Sequence, residues 1–298
     1  MPDAREQRMS GLVLALLGAI AFSGKAILVK LSYRYGVDAV TLIMLRMLFA
    51  LPIFAAMAWW AGRGQPPLSG RDWAAVAGLG FSGYYLASFL DFLGLQYISA
   101  SLERLIVYLN PTLVLLLGWL LYRRPWTRAQ LAGMAVSYAG VLLVFGQELR
   151  LEGRNVPLGA LLVFLSTISY ALYMVYSGQV VRRLGSLRLV GLATSVACLL
   201  CIAQFVALRP LSAAFAVAPQ VIWLSVINAV LGTAVPVLLV MMAIERVGAA
   251  TTSLAGMVGP LSTIFLGVWL LGEPFTAWLA AGTVLVIAGI FVFTRGAR

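Results

Sequence analysis

Residues 100–144 read ASLERLIVYLNPTLVLLLGWLLYRRPWTRAQLAGMAVSYAGVLLV, and residues 249–293 read AATTSLAGMVGPLSTIFLGVWLLGEPFTAWLAAGTVLVIAGIFVF. At a constant offset of 149 residues, and without a gap, Pro111 falls on Pro260 and Pro125 on Pro274. Gly118, Gly133 and Gly140 fall on Gly267, Gly282 and Gly289 by the same shift, as do Ala100 on Ala249 and Thr127 on Thr276. Shared apolar residues carry little information, but prolines and glycines at one fixed spacing mark an internal repeat. Upstream the match thins, although Gly83 still meets Gly232.

The solvent for these repeats follows from composition. Of 298 residues, 62% are hydrophobic and 10% charged, with a mean hydropathy of +0.98. A water-soluble chain of this length carries about 25% charge to cover its core, so the bilayer is the environment that suits this one. The net charge of +11 does not form a basic tract. Its arginines sit in short clusters between apolar runs, as membrane topology places them. The chain has no histidine, and Cys198 and Cys201 share one apolar run. A lone Cys-x-x-Cys within a span is a poor metal site, so no metal, cofactor or catalytic residue is expected.

A spanning helix needs about 20 apolar residues. Ten such runs are present, at 11–31, 39–61, 73–96, 101–121, 128–146, 157–179, 187–208, 219–244, 251–271 and 276–294. The first is read as a retained helix. The predicted fold is all-α and integral to the membrane. Its parts are an N-terminal segment 1–10, a first five-helix repeat 11–146, a connector 147–156, a second repeat 157–294 and a tail 295–298. Five spans per half is an odd number, so the second half enters the lipid from the opposite side. One set of connecting segments carries Arg5, Arg8, Arg63, Arg71, Arg123, Arg124, Arg128, Arg182, Arg183, Arg188, Arg246, Arg295 and Arg298. The other carries Arg34, Arg104, Arg150, Arg154 and Arg209. The richer side is assigned to the cytoplasm, with both termini there. Inverted repeats are a common design of secondary transporters, with the solute site near the midplane between the halves.

The motif Gly259-Pro260, then Leu271-Gly272-Glu273-Pro274, Gly282 and Gly289, resembles the EamA repeat of the drug/metabolite transporter superfamily. Residues 100–144 are similar, with Asn110-Pro111, Arg124-Pro125, Gly133 and Gly140. The resemblance implies ten helices in two inverted five-helix EamA repeats, and export or exchange of small metabolites across the cell (inner or plasma) membrane. Amino acids or related compounds are the first candidates. Organic phosphates or nucleotide sugars, carried by related branches, are the alternative. The first repeat departs from the pattern where Arg124 stands in place of the glutamate at Glu273, which argues for helix capping rather than catalysis. An intramembrane enzyme is the rival of another class, but no Gly-x-Ser-x-Gly elbow or metal cluster is legible.

Ionisable groups within spans are costly and need a reason. Lys25, Arg46 and Asp91 each lie about six residues from the predicted outer end of their span, roughly 9 Å deep at 1.5 Å per residue. Glu103, Arg104 and Lys30 lie on the same side. Two readings stand: an ion-pair network that fixes packing, or a polar vestibule whose two surplus positive charges hold a carboxylate or phosphate through Lys25 or Arg46. A proton carried by Asp91 or Glu103 is compatible with either. The second-half mates of these residues, Met174, Ser195, Val240, Thr252 and Ser253, are uncharged.

Tyr84, Tyr85, Tyr108, Asn110, Tyr170, Tyr173 and Asn228 complete the candidate substrate site, their phenols and amides offering apolar walls with a polar handle. Gly80, Gly83, Pro111, Pro236, Gly259 and Pro260 are the candidate hinges. Gly133, Gly140, Gly282 and Gly289 read as helix-packing positions. The expected partners are the bilayer and a small-molecule substrate, with no nucleic acid, in a monomer or homodimer.

Overall fold

The computed structural model describes residues 4–122, 127–152, 155–255 and 259–295. These form ten apolar spans. In chain order they are α1 (Ala4–Tyr33), α2 (Ala39–Gly62), α3 (Gly70–Gly94), α4 (100–122) and α5 (Arg128–Glu152). The second half follows with α6 (Val156–Leu184), α7 (Ser186–Leu208), α8 (219–247), α9 (described at 249–255 and 259–271) and α10 (Ala277–Arg295). Eight helices are long and apolar enough to cross a membrane by the strictest reading; Ser262–Leu271 and Ala277–Phe293 are shorter apolar helices. Arg123, Arg124, Pro125, Trp126, Arg154, Gly256 and Arg298 lie outside the described residues.

Most boundaries fall within a few residues of those read from hydropathy. Two differ more: α1 begins at Ala4 instead of 11, and α5 continues through Gln147 to Glu152 instead of turning at 146. Those six residues are mainly strong helix formers, and Glu148 is engaged there by the backbone N–H and hydroxyl of Ser99.

Several ends are set by local chemistry. Asp38 caps α2 by accepting from the N–H groups of Val40 and Thr41. Ser69 and Asp72 form a reciprocal capping box at the start of α3, which satisfies two otherwise orphaned donors. Gly36 and Gly185, one repeat length apart, both hold positive φ values of 75° and 76°. That conformation turns the chain back into the next span, and glycine adopts it without a Cβ penalty.

The helix pairing shows the inverted repeat directly. The mates α5 and α10 pack extensively against each other, and so do the mates α2 and α7. In the first pair a Cβ on Gly133 would lie 2.4 Å from the Gly289 carbonyl oxygen, and one on Gly140 would lie 2.6 Å from that of Gly282. Rising numbers on one helix meet falling numbers on the other, so the mates run antiparallel. Gly191 lies against Phe54 and Ala58, while Cys198 Sγ is 3.7 Å from Met47 Sδ, so α2 and α7 are antiparallel too. The remaining contacts exchange under the same operation: α1 packs on α8, and α3 on α6. In lipid there is no hydrophobic drive between helices, so close backbone approach at small residues holds such pairs.

Two spans are interrupted at matching depth. In α3, Gly80–Leu86 is π-helical; in α8, Val230–Ala234 is π-helical. Gly83 and Gly232, which the repeat aligns, sit inside these segments. Pro236 has no N–H to offer Gly232, the residue four before it, which frees that carbonyl and favours the wider turn. The bulge in α3 has no proline; instead Ser169 Oγ donates to the Ser82 carbonyl at 2.7 Å and Ser166 Oγ to that of Ala87 at 2.6 Å. A third break divides α4 into Ala100–Val107 and Asn110–Tyr122. Pro111 cannot donate to Val107, and Thr112 Oγ1 turns back onto the Leu109 carbonyl at 2.7 Å.

Candidate functional site

The interruptions converge. A cavity of about 150 Å³ lies between the repeats, walled by α1, α2, α3, α4, α6, α8 and α9. Six pairs of aligned residues line it from opposite sides: Lys25 and Met174, Gly83 and Gly232, Tyr84 and Thr233, Ser88 and Val237, Asp91 and Val240, Arg104 and Ser253. The pseudo-twofold axis therefore runs through the cavity. Its shape is symmetric and its chemistry is not, because every charged member of a pair belongs to the first repeat.

At the charged end, Lys25 Nζ donates to Asp91 Oδ2 at 2.6 Å, so Asp91 takes Lys25 rather than Arg46. Glu103 is fully buried, and Arg104 Nε stands 3.5 Å from its Oε2. Arg104 also reaches the Phe22 carbonyl. Arg46 is 1% exposed, with its guanidinium 4.4 Å above the Phe92 ring. Among the described residues Arg46 makes no ion pair, and its Nε and Nη2 have no hydrogen-bond partner.

Of the ten substrate-site residues expected from sequence, Lys25, Arg46, Tyr84, Asp91, Tyr108, Asn110 and Tyr170 line the cavity. Three do not. Tyr85 follows Tyr84 by about 100° of helical turn, and it packs on Phe81 instead, at 5.4 Å between rings. Tyr173 stands behind the wall, with Tyr84 edge-on at 4.9 Å and Tyr170 stacked at 5.7 Å. Asn228 places its amide oxygen where a Cβ on Gly232 would fall, at 2.3 Å. Among the expected hinges, Gly83 and Pro111 line the cavity, Gly80 opens the π segment against the Ala193 carbonyl, and Pro236 follows the second bulge. Gly259 and Pro260 open the second part of α9.

Sequence reasoning passed over Ser88, Ser166, Thr167 and Thr233, all of which line the cavity. Single hydroxyls in apolar runs give no spacing signal. Lys30, counted with the cavity charges from sequence, belongs elsewhere: it lines a separate vestibule of about 670 Å³ with Arg34, Asp38, Gln96, Ser99 and Glu273. The charged residues of the cavity lining are accordingly Lys25, Arg46 and Arg104 against Asp91, with Glu103 behind the wall.

Between the two spaces the repeats are joined. The Glu273 carboxylate, from the second repeat, accepts from the backbone N–H of Ala100 at 2.7 Å and of Ser101 at 3.1 Å, and from Ser101 Oγ at 2.5 Å. It thus caps the first turn of α4, where the helix dipole favours an anion. Nearby, Arg34 Nη2 donates to the Leu271 carbonyl. At the same face Arg209 pairs with Asp38, while Arg183 pairs with Asp72 at the opposite face.

This geometry is shared. The sequence profile of the EamA-like transporter family matches residues 9–146 and again 157–295. The chain belongs to the EamA-like transporter family. It is 29% identical over 301 residues to the uncharacterized transporter YcbK of Bacillus subtilis (strain 168), covering 96% of this chain and 92% of that one. An uncharacterized transporter of Archaeoglobus fulgidus is 22% identical, over 95% and 96% of the two chains. A crystal structure superposes with a TM-score of 0.68 over 96% of this chain and 98% of that one, at 20% identity, which speaks to the fold alone. An EamA-like protein of this kind is a membrane carrier and not an enzyme. The doubled profile match coincides with the two antiparallel halves that enclose the cavity.

Proposed function

We propose that this EamA-like transporter exports or exchanges a small polar organic metabolite by alternating access, with amino acids or related compounds as the substrate class. The observation that carries the reading is the cavity itself, placed on the pseudo-twofold axis and charged at one end only. Its size supports a small solute, since an apolar cavity of about 150 Å³ holds a benzene-sized molecule. A nucleotide sugar is several times larger.

Two inverted units of like fold can exchange conformations at little cost, which yields states open to either side. The Glu273 contacts close one face in this state. The arginine-rich ends of the helices are assigned to the cytoplasm of a cell (inner or plasma) membrane, in a chain divided at 147–156 into its two repeats. Asp91 and Glu103 are the groups available for proton coupling.

The test is uptake of labelled amino acids into proteoliposomes, with and without a pH gradient. Saturable flux of a small amino acid supports the reading. Gradient-independent flux removes proton coupling, and a flux of organic phosphate with none of amino acids replaces the substrate class.

A further inference from the structure

The geometry points to Arg46, and not Lys25, as the seat of a substrate carboxylate, held by the Nε and Nη2 edge of its guanidinium. The inference rests on the cavity being the substrate site and adds which group of the substrate is read, and by what.

Three cations face this end of the cavity, and two are already matched. Lys25 is held by Asp91 at 2.6 Å, and Arg104 stands 3.5 Å from Glu103. Arg46 alone of the three makes no ion pair among the described residues, although it is the most deeply buried of them. A buried, unpaired guanidinium is expensive, and the Phe92 face at 4.4 Å offsets only part of that. The unpartnered atoms are informative: Nε and Nη2 lie on one edge of the guanidinium and donate in parallel. That edge fits the two oxygens of a planar carboxylate. Lysine, a single point charge, does not reproduce the fork.

The experiment uses the full-length chain purified in nanodiscs. Thermal unfolding is followed with sodium acetate, acetamide or inorganic phosphate, and labelled L-alanine flux is measured in parallel. Acetate is expected to stabilise the wild type while acetamide does not. Arg46→Met and Arg46→Lys should weaken apparent acetate affinity by about tenfold to a hundredfold, the worth of a charged hydrogen-bonded pair. Arg46→Lys keeps the charge, so it serves if Arg46→Met does not fold. Undiminished acetate stabilisation in Arg46→Lys overturns the inference, as does equal stabilisation of the wild type by acetate and acetamide. Stronger stabilisation by phosphate than by acetate overturns the carboxylate class. Absence of alanine flux beside an Arg46-dependent acetate effect removes the amino-acid reading and leaves the carboxylate seat standing.

Discussion

The hydroxyl of Ser137 donates to the carbonyl oxygen of Val286 at 3.3 Å, and these residues are 149 apart, the repeat length itself. Each is thus the other's mate, and the pseudo-twofold axis passes between them. Gly133 against Gly289 and Gly140 against Gly282 flank this point symmetrically. The seam of α5 and α10 is where the two halves are fastened.

Gly133→Ala should loosen that seam. Its Cβ would lie 2.4 Å from Gly289 O and from Phe293 N, which are backbone atoms that cannot swing aside. A cost of about 1–3 kcal/mol is expected from such overpacking. Thermal unfolding in detergent measures it, with Gly146→Ala as the control because nothing lies within 4 Å of that position. Equal melting temperatures would contradict the packing described.

Glu273→Ala should release the start of α4. Three donors lose their acceptor at once, at a cost of about 1–3 kcal/mol. Hydrogen exchange at the Ala100 and Ser101 amides is the local readout, and it should quicken well beyond any change in the middle of α5. Unchanged protection at those two amides would exclude the capping role.

Lys25→Met leaves the Asp91 carboxylate buried without its cation, and Asp91→Asn leaves the ammonium without its anion. Each single change should destabilise by about 3–5 kcal/mol, while the double change costs less than their sum. Strict additivity in denaturation would mean that the 2.6 Å contact carries no coupling.

Gly83→Ala forces a Cβ to within 2.3 Å of the Tyr173 ring. Tyr173 backs Tyr84, so the displaced rings move into the cavity. Amino-acid flux should fall by about tenfold, the effect of 1.4 kcal/mol on a barrier. Gly78→Ala, in the same helix with open space around it, should leave flux near wild type.

Asp38, just outside α2, supplies a pH-dependent term. Burial raises its carboxyl, but hydrogen bonds from Thr41 and the charge of Arg209 outweigh this and hold it below the usual range. A depressed folded value stabilises fully above the unfolded value of about 3.9 and loses that contribution as pH falls through the folded value. Asp38→Asn should flatten the melting temperature between pH 5 and the acid limit relative to wild type, with Thr41 and Arg209 left in place. An unchanged acid slope would reject this assignment.

The repeat, the ten spans and the level shared by Lys25, Arg46 and Asp91 were legible because each leaves a mark in spacing. Proline and glycine report backbone demands, and a charge in an apolar run reports its own cost. The packing role of Gly133 and Gly140 was legible for the same reason. The π segments were not: the bulge at Gly83 depends on hydroxyls of α6 that are distant in sequence. Their extra turn also decides which of Tyr84 and Tyr85 meets the cavity. Tyr173 and Asn228 were misplaced because period alone cannot separate a wall from the layer behind it. Lys30 was assigned to the wrong space because depth along a helix says nothing about which side of the Glu273 contacts a side chain falls on.

The paired lining has a consequence for directionality. The two repeats present like elements to the cavity but unlike side chains. Lys25, Asp91 and Arg104 opposite Met174, Val240 and Ser253 supply the difference. Transplanting those three across the axis is therefore the change expected to alter any preference of the carrier for one direction.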